Sequence, residues 1–209
     1  NITLTTKDRP DISFGPNEEI TDEGSVKEAG VEGCKVPAES TDPDNPNADV
    51  SGVAEASGTI MLTDTDSTEL TLTVTGDVQH TDNSETHDNT EDAQVSSTSF
   101  GENGVSLGTG GTLTLYLNAA GELVTSQPSD YYGKLTLNFS AGKTGSWNFT
   151  LNEGSDLVDS LKEGESFDIT LNLTAKDADD YSSTGAALTI HIQGTNDMPV
   201  FTTATANGE

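Results

Sequence analysis

From Phe167 to Thr174 every second residue is apolar: Phe167, Ile169, Leu171 and Leu173 alternate with Asp168, Thr170, Asn172 and Thr174. A two-residue period places one set on each face of an extended strand, whereas a helix would scatter both sets around its circumference. The same pattern returns at Leu70, Leu72 and Val74, at Leu113, Leu115 and Leu117, and at Leu135, Leu137 and Phe139. Trp147, Phe149 and Leu151, and then Leu188, Ile190 and Ile192, complete the set. Threonine dominates the polar positions and suits a pleated, solvated face. Gly, Asn, Asp and Ser clusters divide these short runs, which predicts antiparallel strands and an all-β sandwich. One short helix at most fits, over Ser155 to Lys162, with Ser155 or Asp156 as cap, Leu157 and Leu161 one turn apart and Gly164 as the stop.

Charge pulls against folding. The chain has 209 residues with 36 Asp and Glu against 8 Lys and Arg, a net charge of −28. So acidic a chain with few apolar residues tends to disorder unless cations neutralise it. The charge also excludes nucleic acid and anionic membrane surfaces as partners. No apolar run approaches the roughly 18 residues of a membrane span, and no signal-peptide pattern stands at the start. A single cysteine, Cys34, rules out an intrachain disulfide and a tetrathiolate zinc site.

An internal echo suggests the organisation. Lys7-Asp8-Arg9-Pro10-Asp11-Ile12 is similar to Asn196-Asp197-Met198-Pro199-Val200-Phe201, with Asp8 and Asp197 189 positions apart. Proline stiffens itself and its predecessor, as a linker requires. Residues 1–12 and 196–209 are therefore expected to be linkers, and 13–195 one monomeric module flanked by tandem neighbours. The chance alternative is that two short matches mean nothing.

From Tyr132 onward the chain resembles the VCBS-type, cadherin-like repeats of giant bacterial RTX adhesins. Tyr132-Gly133-Lys134-Leu135-Thr136, Gly145-Ser146-Trp147-Asn148-Phe149-Thr150-Leu151, Val158 to Gly164 and Ile192-Gln193-Gly194-Thr195-Asn196-Asp197-Met198-Pro199 carry the likeness. Gly24-Ser25-Val26-Lys27-Glu28, and Ser57-Gly58-Thr59-Ile60 through Asp66, look like the family's opening strands. The resemblance implies an Ig/cadherin-like sandwich rigidified by several Ca²⁺ ions, type I secretion, and display on the bacterial cell surface or in a biofilm. It also implies insertions at about 31–51 and 76–131, because repeats of this type are shorter. The second insertion contains strand-like runs at Val95–Phe100, Thr112–Leu117 and Glu122–Thr125.

Calcium takes six to eight oxygen ligands. Asp64-Thr65-Asp66 and Asp177-Ala178-Asp179-Asp180 each follow a strand and set acids one residue apart, able to turn toward one ion. With Glu28 or Glu55, Asn196 and Asp197, and with Asp8 in the first linker, they resemble the acids that bind calcium at the ends of cadherin-like repeats. Each is equally at home as an exposed turn residue. Asp42-Pro43-Asp44-Asn45 with Asp49 is a weaker cluster of the same kind. An EF-hand at Asp64 fails, since Glu69 stands where glycine is required. Gly108-Thr109-Gly110-Gly111 is neither a β-roll repeat nor a dinucleotide loop. The acidic loop from Asp77 to Asp92 carries His80 and His87, a conceivable zinc set that a solvated or calcium-binding loop explains as well. His191 points outward and looks inert, and sequons at Asn1, Asn138, Asn148 and Asn172 read as surface composition.

No nucleophile elbow or phosphate loop occurs, so no enzyme is expected. Two functions remain. One is ligand capture, in which an open Ca²⁺ beside Asp77, Asp130, Tyr131 and Tyr132 takes the C-terminal carboxylate of a peptide or protein on host or neighbouring cells, or glycan hydroxyls. An anionic group could approach so acidic a chain only through such an ion. The other is a calcium-stiffened structural extender.

Overall fold

The computed structural model describes residues 7–29, 52–67, 69–82, 94–106, 110–139 and 144–195, with residues 69 and 94–106 described by their backbone alone. It is all-β. The strands are β1 (Asp11–Phe14), β2 (Thr21–Lys27), β3 (Glu55–Thr63), β4 (Glu69–Thr81), β5 (Gln94–Ser106), β6 (Gly111–Asn118), β7 (Leu123–Val124), β8 (Tyr131–Phe139), β9 (Thr144–Leu151), β10 (Ser166–Asp177) and β11 (Ala186–Gln193). They form two sheets, ordered β1-β3-β9-β8-β6-β7 and β2-β11-β10-β4-β5. Every pairing is antiparallel except β2 with β11.

The alternating residues do what their period dictates. Ile60, Leu62, Leu115, Leu117, Leu135, Leu137, Trp147 and Phe149 project from the six-stranded sheet into a continuous core. Leu72, Val74, Phe167, Ile169, Leu171, Leu173, Leu188, Ile190 and Ile192 meet them from the other sheet. Each such side chain contributes about 1.5–3 kcal/mol by leaving water, which lets a −28 chain fold. Trp147 is the largest of them, and Gly24 and Gly58 leave the room its indole fills.

Two boundaries differ from the sequence expectation. Ile12 is fully buried in β1, which starts at Asp11, so the apolar end of the supposed linker belongs to the sheet. β4 does not stop near Val74 but runs to Thr81, which draws Asp77 and His80 out of the acidic loop. The cause is that Gly76 and Val78 continue the inward set against Leu171 and Ile169 of β10. Among the described residues there is no helix. At Ser155 the chain makes one turn, with Val158 and Asp159 N–H both donating to the Ser155 carbonyl and Leu157 N–H to Ser155 Oγ. The expected cap is present on a single turn, within the limit of at most one short helix, and Val158 and Leu161 bury in the core. The strand-like runs of the second insertion are β5, β6 and β7. The first insertion, His87, Asp42 to Asp49, Asn196 and Asp197 lie outside the described residues.

Candidate metal centre

β10 runs the length of the five-stranded sheet, pairing Ser166 with Thr81 at one end of β4 and Asp177 with Leu70 at the other. The loop after β3 crosses from one sheet to the other just before β4 begins. Asp64 and Asp66 therefore arrive beside Asp177, and one carboxylate oxygen from each of the three lies within 4.8 Å of the others. Ca²⁺–oxygen bonds of about 2.4 Å span that separation across one ion. Asp64 and Asp177 are each 6% exposed, while Asp66 faces solvent.

Each loop is braced on one oxygen of its buried acid. Asp64 Oδ1 accepts the N–H groups of Asp66 at 2.9 Å and Ser67 at 2.8 Å. Asp177 Oδ1 accepts those of Asp179 and Tyr181, both at 2.8 Å. Asp180 adopts a left-handed φ of 71° between them. Such N-capping of turns by aspartate is local chemistry, legible from the Asp-x-Asp spacing. A hydrogen bond with the Asp64 carboxyl, then burial, raises the Asp66 pKa, against the pull of the Asp8 N–H. Two buried carboxylates with a third beside them form a site crowded with acidic groups. The donor set, oxygen alone, fits a hard cation such as Ca²⁺.

The leading segment docks on this pole. Asp8 N–H donates to Asp66 Oδ2 at 3.4 Å, and Thr65 Oγ1 donates to Asp8 Oδ2 at 3.2 Å. Arg9 donates through Nε and Nη2 to the Ser182 carbonyl, at 2.8 and 2.6 Å. Lys7 Nζ sits 2.5 Å from Asp179 Oδ1, and Lys176 Nζ 2.8 Å from Asp180 Oδ1. Asp179 raises the Lys7 pKa and Lys176 lowers that of Asp180. Asp8, Asp64, Asp66, Asp177, Asp179 and Asp180 thus share one pole, but Asp179 and Asp180 are occupied by lysines. The Lys7 contact carried no sequence signal, because residues 7 and 179 are distant in the chain.

Glu28 and Glu55 stand at the opposite pole, about 35 Å away at the rise of the 12-residue β10. Glu28 is buried, and its Oε2 accepts the Thr195 N–H at 3.1 Å. Glu55 opens β3, exposed, opposite Thr150. No single ion can join these glutamates to the aspartate group.

The four ligand-site candidates are divided. Asp130, Tyr131 and Tyr132 lie together at the start of β8, where Asp130 Oδ1 accepts Ser155 Oγ–H at 2.5 Å. Tyr131 meets Tyr116 edge to face at 5.1 Å, and burial raises the pKa of Tyr132, with Glu165 and Asp130 adding to it. Asp77 sits on the other sheet, opposite Thr170. His80 stacks on Phe167 at 4.2 Å and contacts Glu165 Oε1 at 2.8 Å. His191 does face outward, with Nδ1 2.8 Å from Asp168 Oδ1.

No protein-family model matches the chain. No curated protein matches it either.

Proposed function

We propose that this chain is a calcium-dependent, Ig/cadherin-like module of a secreted bacterial surface adhesin of the RTX type, in which Ca²⁺ fastens the leading segment to the sandwich. The observation that carries the reading is the meeting of Asp64, Asp66 and Asp177 beside Asp8. Three acids from two loops, with a fourth from the leading segment, would be costly to crowd together unless a cation shared them. The strand order supports the sandwich type: β1-β3-β9-β8 and β4-β10-β11 follow the A-B-E-D and C-F-G arrangement of immunoglobulin-like domains. The resemblance of residues 132–201 to VCBS-type repeats supports the adhesin setting and tandem neighbours.

A metal at the docking point of the leading segment favours the stiffened extender over ligand capture. Capture of a peptide carboxylate or a glycan draws support from the Tyr116–Tyr131 pair beside Asp130, at the far pole. Calcium titration by calorimetry, with melting in Ca²⁺ and in EDTA, tests the central claim. An unchanged transition and no binding heat would sink it. A peptide and glycan array in Ca²⁺ then separates the two uses: silence on both favours the extender.

A further inference from the structure

The sheets end in four edge strands of very different length: β7 has 2 residues, β1 has 4, β2 has 7 and β5 has 13. β5 pairs on one side with β4, from Gln94 opposite His80 to Ser106 opposite Glu69. Among the described residues no strand pairs with its other side. Alternate residues of an antiparallel strand turn their N–H and C=O to each side, so roughly six residues of β5 direct both groups outward. Proteins blunt such an edge with brevity, proline, lysine or charge. β2 is short and carries Asp22, Glu23 and Lys27. β5 reads Gln-Val-Ser-Ser-Thr-Ser-Phe-Gly-Glu-Asn-Gly-Val-Ser, with no proline or basic residue and Glu102 as its one charge. Its single irregularity, opposite Thr73 to Thr75, leaves an unbroken ladder from Gln94 to Ser99.

We infer that the outer edge of β5 is a strand-addition site that takes an extended, uncharged or basic peptide segment of a partner protein. Backbone hydrogen bonds supply the affinity in this mode of recognition. Charge selects the occupant. A second copy brings another −28, and its approach is opposed at low salt, while a neutral or lysine-bearing strand is not. The site lies along a sheet edge and does not depend on the aspartate pole.

The test uses the full chain, in Ca²⁺ and in EDTA, with a synthetic peptide of alternating threonine and valine flanked by lysines. The peptide is expected to bind and to slow exchange of those amides within 94–106 that point away from β4, beyond the alternate set that β4 already protects. N-methylation of its amides at one parity should weaken binding at least about tenfold, with the other parity tolerated, as a one-sided ladder requires. A glutamate-flanked version should bind about tenfold more weakly at low salt. Absence of binding, or binding without protection in 94–106, overturns the proposal. So does protection, already present in the free monomer, of the β5 amides that point away from β4, which means another segment of the chain covers the edge. Concentration-dependent dimerisation that protects β5 without peptide assigns the edge to a second copy and overturns it equally. Loss of calcium binding with peptide binding intact would sink only the metal reading.

Discussion

Asp64 and Asp177 stand 113 residues apart in the chain, yet their carboxylates face each other within 4.8 Å, both buried. Neither loop could hold its acid there alone. The sandwich forces the pair together, and on the proposed reading a shared cation would offset their repulsion.

Substitution separates the two halves of that statement. Asp177→Asn and Asp64→Asn keep the Oδ1 acceptor that braces each loop and remove one negative charge. Calcium affinity is expected to fall at least about tenfold for each. In EDTA the same variants should be as stable as the parent or more so, because like charges this close repel by about 1–3 kcal/mol at a protein-like dielectric. Calorimetry and urea unfolding report both effects. Variants that bind calcium normally would remove these acids from the site.

Calcium removal should lower the melting temperature. An ion present at one hundred times its dissociation constant stabilises by about 2.7 kcal/mol, which is roughly 5–10 °C for a chain of this size. Magnesium should substitute poorly, since its shorter bonds suit a smaller cage. Differential scanning calorimetry in EDTA, Mg²⁺ and Ca²⁺ makes the comparison.

The pH dependence should change sign with the metal. Asp66 is raised by its hydrogen bond to Asp64 and by burial. An acid raised in the folded state stabilises fully below its unfolded pKa, and that contribution is lost as pH rises through the folded value. The calcium-free chain should therefore lose stability from this group as pH climbs from about 4. With Ca²⁺ the trend reverses, because the ion binds ionised carboxylates and protons compete with it. Melting curves that run parallel with and without Ca²⁺ between about pH 4 and 7 would show that the raised Asp66 carboxyl does not govern this dependence.

Across the core, Trp147 Nε1 donates to Asp22 Oδ2 at 2.7 Å and so joins β9 to β2. A side chain at Gly58 would collide with both Trp147 Nε1 and Asp22 Oδ2. Gly58→Ala should cost about 1–3 kcal/mol through overpacking. Asp22→Ala should cost a similar amount by leaving a buried indole N–H without its acceptor, and Asp22→Asn less. Tryptophan fluorescence during urea unfolding reads these directly. Equal stability for all three variants would show that the contact contributes nothing.

Much of the fold was legible because strand alternation is a local property: Phe167 to Leu173 and Leu188 to Ile192 declared their inner faces residue by residue. The end of β4 was not, since Gly76 and His80 break the apolar alphabet while keeping the period. The acids of the leading pole were legible as Asp-x-Asp turns, for the same local reason. Their grouping with Glu28 and Glu55 was not, because linear spacing does not say at which end of a sandwich a loop emerges.

Alternation along the chain set the strands and their common core, and composition set the surplus of acid. Which acids meet followed from the packing of the two sheets. Alternation and charge are sums over neighbours in the chain, whereas the approach of Asp64 to Asp177 depends on the chain crossing between sheets after β3 and on the register of β10 against β4. Docking of the leading segment brought Lys7 to Asp179, and the strand order left β5 at the sheet's edge.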